Sequence, residues 1–136
     1  MTHPLIQRLF DEYRYPEVTV EGHDAFVSQP GVSVLFFAGD PKRYRDTTDV
    51  AVVLPELVKA FEGHIRPGVV ASTSELELQK RYGVTAWPTL VFLREGNYLG
   101  AIAGIQNWSE YLQEIGDLIV AEPRRPPTFK VPVVGA

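Results

Sequence analysis

Residues 32–38 form a run that is apolar at every position except Ser33. A strand with one exposed face alternates apolar and polar residues, whereas a continuous apolar run is typical of a strand covered on both faces. Apolar residues also repeat at helical spacing over residues 50–61 and 108–119. The sequence therefore predicts an α/β fold in which helices cover both faces of a central sheet.

The predicted elements alternate between helix and strand along most of the chain, and this order favours a mixed sheet closed by a β-hairpin and a last helix. The hairpin prediction rests on two apolar runs separated by a turn that contains glycine. We expect helices over residues 5–13, 23–28, 50–61, 72–81 and 108–119, and strands over residues 17–20, 32–38, 68–71, 89–93 and 98–103.

Individual residues mark the ends and the interruptions of these helices. Pro55 lies inside the longest predicted helix, where it removes one backbone hydrogen bond. Gly83 suits the C′ position that follows a helix. Asn107 and Glu110 have the spacing of a capping box, and the helix that they begin is expected to bury Trp108.

The absence of cysteine from all 136 residues excludes several classes of function. Without a thiol, the chain cannot carry out disulfide exchange, use a thiolate nucleophile or hold an iron–sulfur cluster. His3, His23 and His64 are widely separated, so we expect surface or capping roles for them and no metal site. No glycine-rich phosphate-binding loop is present, and no cofactor is expected.

Charge divides the chain into an acidic body and a short tail. The net charge is −4, but residues 122–136 carry three basic residues and one acidic residue, which leaves residues 1–121 at −6. This balance argues against nonspecific binding to nucleic acid. The tail contains four prolines, so we expect one domain over residues 1–121 and a flexible extension over 122–136. The N-terminus lacks the apolar run of a signal peptide, and we expect a cytoplasmic protein.

Several segments in order resemble the thioredoxin fold over roughly residues 17–121. They are the buried strand that ends at residues 36–38, the helix that contains Pro55, the Ala-Trp-Pro-Thr sequence at 86–89 and the hairpin that ends at Gly104. The resemblance implies a three-layer α/β/α fold, preceded here by an extra N-terminal helix. It also implies that the bond between Trp87 and Pro88 is cis, forming an edge on which an extended peptide can lie.

The departures from thioredoxin concern its chemistry. Counting back from Pro55, the positions of the reactive cysteines hold Thr47 and Val50, and the loop before them is longer than in thioredoxin. The buried carboxylate of the central strand corresponds to Leu35. The resemblance therefore implies a surface that binds peptides without reacting with them.

The sequence is further similar to the HyaE/HupG group of nickel–iron hydrogenase accessory proteins. The shared motifs are Phe-Phe-Ala-Gly-Asp-Pro-Lys-Arg-Tyr at 36–44, Leu-Pro-Glu-Leu at 54–57, Arg-Tyr-Gly-Val at 81–84 and Trp-Pro-Thr-Leu-Val-Phe at 87–92. The resemblance implies a maturation chaperone, not an enzyme, that binds the hydrogenase small subunit and its twin-arginine signal peptide before export. Other hydrogenase accessory proteins are further candidate partners. The alternative is a redox-inactive adaptor that docks a folded partner subunit.

The resemblance implies a peptide-binding site whose polar residues begin a helix beside the expected cis-proline. Arginine pairs bidentately with carboxylates, which makes Asp46 and Asp49 the expected partners of the signal peptide. For Asp49, capping the helix and offsetting its dipole would alone explain the residue. Trp87 either contacts the partner or fills the core. The candidate residues are Asp46, Thr47, Thr48, Asp49, Trp87 and Pro88.

Other polar residues have simpler interpretations. Glu75 and Glu77 begin a predicted helix, where solvated carboxylates offset the dipole. The cationic loop at residues 42–45 is expected to be solvated. An enzyme with a nonthiol site around Thr47 and Lys42 is the least favoured function, because the sequence places no base beside the hydroxyl.

Overall fold

The computed structural model describes residues 2–127, which contain one five-stranded sheet in the order β1-β3-β2-β4-β5. β3 lies between β1 and β2 and pairs with both in parallel, whereas β4 is antiparallel to β2 and to β5. The last two strands form the predicted hairpin. The strands are β1 (Glu17–Val18), β2 (Val32–Phe37), β3 (Ile65–Val70), β4 (Thr89–Arg94) and β5 (Asn97–Ala103).

Five α-helices cover the two faces of the sheet. They are α1 (Pro4–Asp11), α2 (Val20–Val27), α3 (Asp46–Ala60), α4 (Glu75–Tyr82) and α5 (Trp108–Leu118), and a 3₁₀ turn (Ser72–Ser74) precedes α4. α1, α3 and α5 contribute to one apolar core, and α2 and α4 to the other. No helix within residues 2–127 is long and apolar enough to cross a lipid bilayer. The predicted mixed sheet, C-terminal hairpin, closing helix and extra N-terminal helix are confirmed.

β2 is buried on both faces, as its apolar run predicts. Val34 and Phe36 lie in the core on the α3 face, and Leu35 and Phe37 lie in the core on the α4 face. Each of these four side chains is fully buried. The central strand therefore joins the two cores and is held in place from both sides.

Several boundaries differ from the predictions for local reasons. The strand expected over residues 17–20 ends at Val18, because the Thr19 side chain accepts a hydrogen bond from the Gly22 N–H and caps α2. Gly83 ends α4 in the left-handed conformation, as expected. The expected burial of Trp108 is wrong, since 46% of this residue is exposed at the first position of α5.

The capping box predicted at the start of α5 is not formed. Asn107 is the N-cap residue of α5, but its side chain makes no hydrogen bond to the helix backbone. Its amide instead donates to the Glu110 carboxylate at 2.5 Å. The two residues therefore pair side chain to side chain.

The described part of the C-terminal extension lies against the body. The Arg94 guanidinium donates to the carbonyls of Ala121 (2.9 Å) and Ile119 (2.6 Å), and the Arg124 N–H donates to the Tyr98 carbonyl (2.9 Å). Residues 128–136, which form the rest of the extension predicted to be flexible, lie outside the described residues.

We expect the domain to fold without residues 123–136. Within residues 2–127, this segment donates one main-chain hydrogen bond to the body, from the Arg124 N–H. Such a bond contributes about 0.5–1.5 kcal/mol to the free energy of unfolding. Thermal unfolding of a chain that ends at residue 122 should give a melting temperature within a few degrees of that of the full chain. A loss of many degrees would show that the extension belongs to the folded domain.

Candidate functional site

The candidate site is built around the end of β2, where three elements meet the chain. The Thr47 hydroxyl at the start of α3 donates to the Ala38 carbonyl at 2.5 Å. The Glu75 carboxylate at the start of α4 accepts the Gly39 N–H at 3.0 Å. Trp87 lies so close to Gly39 that a Cβ on the glycine would be 2.9 Å from the tryptophan side chain.

The loop after this junction holds an aromatic pair. The Asp40 carbonyl accepts hydrogen bonds from the N–H groups of Arg43 and Tyr44, and its carboxylate accepts one from the Lys42 N–H. These bonds make the loop a compact turn. The turn brings Tyr44 against Trp87, with ring centroids 5.6 Å apart and planes 29° from parallel. Both side chains are half-buried. Trp87 therefore has features of both interpretations, since it packs against a core and also borders the surface.

The peptide bond between Trp87 and Pro88 is cis, as expected. The Pro88 carbonyl accepts the Gly104 N–H at 2.7 Å, which ties this turn to the end of β5. Within the described residues, the main-chain N–H and C=O of Trp87 have no intramolecular hydrogen-bond partner. The buried indole N–H of Trp87 also has none there. The turn therefore retains backbone groups that could pair with another chain.

The four polar residues proposed at the start of α3 differ in exposure. Asp46 and Thr48 are half-buried, Asp49 is exposed and Thr47 is fully buried. Neither aspartate makes a hydrogen bond or ion pair within the described residues, and α3 has no side-chain cap there. Their carboxylates are therefore unpaired in this part of the chain, beside the positive end of the helix dipole.

The charge of Asp46 acts on Tyr111 of α5. Burial raises the pKa of Tyr111, and the negative charges of Glu114 and Asp46 raise it further. The Tyr111 hydroxyl donates to the Gly104 carbonyl at 3.3 Å, and Gly104 is the residue whose N–H binds Pro88. Tyr111 is thus joined through Gly104 to the cis turn.

Exposed apolar side chains follow Gly104 directly. Ile105 is 37% exposed and Trp108 is 46% exposed, although both are large apolar residues. Exposed aromatic residues of this kind are enriched at protein interfaces. Helical periodicity grouped Trp108 with the buried Tyr111 and Ile115, but Trp108 at the first position of α5 lies outside the core.

A second feature near the junction was missed by sequence reasoning. A cleft of about 410 Å³ lies between α1 and the carboxyl ends of the parallel strands, and its acidic residues are Glu17, Asp40 and Glu75. Burial raises the pKa of Glu75, and hydrogen bonds from the Gly39 and Ala38 backbone counteract this rise. The carboxyl ends of parallel strands commonly border ligand sites. The order of helices and strands along the chain could therefore have indicated a cleft at this position.

The three histidines have separate surroundings. His3 caps α1 by accepting the Leu5 N–H at 3.1 Å, and His64 is exposed, as expected. The expected surface position of His23 is wrong, because it is 3% exposed and hydrogen-bonded to the Tyr82 hydroxyl. Residues 2–127 contain no group of three or more His, Asp or Glu side chains arranged to hold a metal ion.

Comparison with known proteins gives consistent matches over most of the chain. The family model described as "Hydrogenase-1 expression protein HyaE" matches residues 5–111. The chain is 46% identical over 131 residues to the hydrogenase expression/formation protein HoxO of Azotobacter vinelandii, covering 96% of this chain and 88% of HoxO. It is 37% identical over 123 residues to HupG of Rhodobacter capsulatus, covering 89% and 88% of the two chains.

A solved structure is similar in both sequence and fold. The crystal structure of a hydrogenase expression/formation protein HupG from Rhodopseudomonas palustris superposes with a TM-score of 0.56 at 40% sequence identity. The match covers 76% of this chain and 93% of that chain. The family resemblance inferred from the motifs is confirmed.

We expect Gly39→Ala to destabilise the protein by about 1–3 kcal/mol more than a comparable glycine substitution. The new Cβ would lie 2.8 Å from the Tyr44 ring and 2.9 Å from Trp87. Gly63→Ala is the matched control, because Gly63 also has a positive φ of 82° but has no neighbouring atom within 4 Å of the place that the new methyl group would occupy. Denaturant unfolding of both variants measures the difference, and equal losses would contradict close packing at Gly39.

Glu75 should make stability depend on pH. Because burial raises its pKa above the ordinary value of 4.5, the folded chain holds this proton more tightly than the unfolded chain does. This contribution to the free energy of unfolding is fully present below pH 4.5 and is lost as the pH rises through the raised pKa. The melting temperature of wild type relative to Glu75→Gln should therefore fall as the pH rises above 4.5. A difference that is constant with pH would contradict this assignment.

Proposed function

The chain belongs to the HyaE family of hydrogenase expression proteins, and from this premise we propose that it is a non-catalytic maturation chaperone for a nickel–iron hydrogenase. In this role it binds the small subunit through its twin-arginine signal peptide, in the cytoplasm and before export. The names of its relatives support the coarser part of the proposal, since HoxO and HupG are hydrogenase expression/formation proteins. The finer part rests on the geometry of the site.

The observation that carries the proposal is the unpaired main chain of Trp87 within the described residues, next to a cis-proline. A peptide in extended conformation can hydrogen-bond to unpaired main-chain groups of this kind, as in β-strand addition. The bonds made by Pro88 and its neighbours to the end of β5 hold this segment in place. Backbone pairing gives affinity for a peptide, and the side chains around it give specificity.

The arginines of the peptide would be recognised by Asp46 and Asp49. Both carboxylates lack a partner within the described residues, and residues 1–121 carry a net charge of −6. Carboxylates bind guanidinium groups through short, charge-assisted hydrogen bonds. The overall negative charge would also raise the rate at which a cationic peptide associates.

The apolar part of a signal peptide would contact the exposed side chains beside the turn. Ile105 and Trp108 follow the glycine that binds the Pro88 carbonyl, so they lie along the same stretch of surface. The Tyr44 ring stacks on Trp87. The site would thus combine a backbone edge, two carboxylates and an apolar strip. These would match the extended main chain, the two arginines and the apolar part of the signal peptide.

We expect an Asp46→Asn, Asp49→Asn double variant to bind a labelled twin-arginine signal peptide more weakly than wild type does. Each exposed ion pair contributes about 0.2–1 kcal/mol, so losing two should raise Kd by roughly two- to thirtyfold. Wild-type binding should also weaken with added salt, because screening acts over about 10 Å at 0.1 M ionic strength. Fluorescence anisotropy at two salt concentrations measures both effects.

The matched control is Glu17→Gln, Glu75→Gln, which removes the same charge from the acidic cleft beside α1. If this variant loses affinity and the aspartate variant does not, the arginines occupy that cleft. If binding is insensitive to salt and to both variants but is lost in Trp87→Ala, recognition is apolar. Binding of the folded small subunit without any binding of the isolated peptide would favour the adaptor function.

A further inference from the structure

A second cleft, distant in sequence from the residues of the proposed peptide site, has the opposite charge. It has a volume of about 470 Å³ and lies between α2, the end of α4, the β4–β5 hairpin and the segment that follows α5. Its charged side chains are Asp24, Arg81, Arg124 and Arg125, and its polar and aromatic lining includes His23, Tyr82, Asn97 and Tyr98. We call it the arginine cleft.

The positive charge of the arginine cleft is unusual for this chain. Three arginines face one carboxylate there, whereas the protein as a whole has a charge of −4. Arg81 is near Asp24 at 3.5 Å, which leaves Arg124 and Arg125 without an ion pair within residues 2–127. The local potential is therefore positive and suited to an anionic ligand.

The fold holds the arginines in place through backbone contacts. Arg94 binds two carbonyls at the end of α5, and the Arg124 N–H binds the Tyr98 carbonyl, so the segment that carries Arg124 and Arg125 is fixed against β5. The Arg124 guanidinium runs close to Gly100, where a Cβ would be 3.0 Å from its Nη2 atom. The main-chain bond of Arg124 therefore fixes the segment that carries both arginines beside the cleft, which both residues line. Neither arginine forms an ion pair with a carboxylate within residues 2–127.

The aromatic floor of the cleft is also tightly organised. Tyr82 stacks on Tyr98 with ring centroids 6.2 Å apart, and its hydroxyl binds Nε2 of His23. Nδ1 of His23 lies 2.7 Å from the Asp24 carboxylate and 3.0 Å from the Arg81 guanidinium. The ring nitrogens of this buried histidine thus have partners, and the floor is polar but satisfied.

We propose that the arginine cleft binds an acidic peptide segment of a protein partner through Arg124 and Arg125, independently of the signal-peptide site. Guanidinium groups pair bidentately with carboxylates. A compact dianion such as phosphate is less well matched, because α2 and α4 both contribute their C-terminal ends to the cleft. The partial negative charge of helix C-termini opposes a concentrated dianion, whereas spread carboxylates can meet the extended arginine side chains.

The test is binding of a fluorescein-labelled oligoglutamate peptide to the full chain, with an oligoglutamine peptide of the same length for comparison. We expect wild type to bind oligoglutamate, and Arg124→Gln, Arg125→Gln to raise Kd by roughly two- to thirtyfold, as expected for two exposed ion pairs. The amide resonances of Gly96 and Asn97 should shift on binding, since both residues line the cleft. Main-chain anchoring of Arg124 is unaffected by these substitutions, so the variant should remain folded.

The matched control is Arg14→Gln, Lys59→Gln, which removes two positive charges from surfaces that do not line the cleft. Equal weakening in both double variants would overturn the proposal, since only overall charge would then matter. No binding of oligoglutamate by wild type would also overturn it, as would competition by inorganic phosphate at equal concentration, which would identify a site for compact anions. None of these results depends on whether the signal peptide binds.

Discussion

The end of β2 is the point on which the geometry of the site depends. Three side chains from different elements meet the backbone there: Thr47 binds the Ala38 carbonyl just after the strand, Glu75 binds the Gly39 amide, and Trp87 fills the space beside the glycine. The contacts join α3, α4 and the cis turn to a strand that is buried on both faces. Because close-packed interiors transmit displacement, a shift at this junction would move all three elements.

These same contacts distinguish the junction from the reactive site of thioredoxin. Thr47 stands at the position of a reactive cysteine, but its hydroxyl is fully buried and engaged with the backbone. Leu35 stands at the position of the buried carboxylate and lies in an apolar core. In the proposed function, the groups that would meet a partner are the unpaired main chain of Trp87, the carboxylates that begin α3 and the exposed apolar residues after Gly104.

The fold and the cis turn could be predicted, whereas some side-chain environments could not. Hydrophobic periodicity identified the helices and strands because it depends on the chain alone. His23 was expected at the surface but is buried. Phe26 and Val27, three and four residues further along α2, are buried too, and this helical spacing was visible in the sequence. The Tyr82 partner of His23 is 59 residues away, so the hydrogen bond that makes burial of a polar ring possible was not visible there.

The sequence by itself determined the order of elements, the absence of thiol chemistry, the Trp-Pro-Thr turn and the family, since each depends on residue types and their spacing. Tertiary structure alone decided which charges gather together. Glu17, Asp40 and Glu75 come from three separate segments to one acidic cleft, and the arginine cleft likewise joins the end of α4 to the segment after α5. The physical reason is that charge complementarity acts through space, so its pattern exists only once the strands and helices have packed.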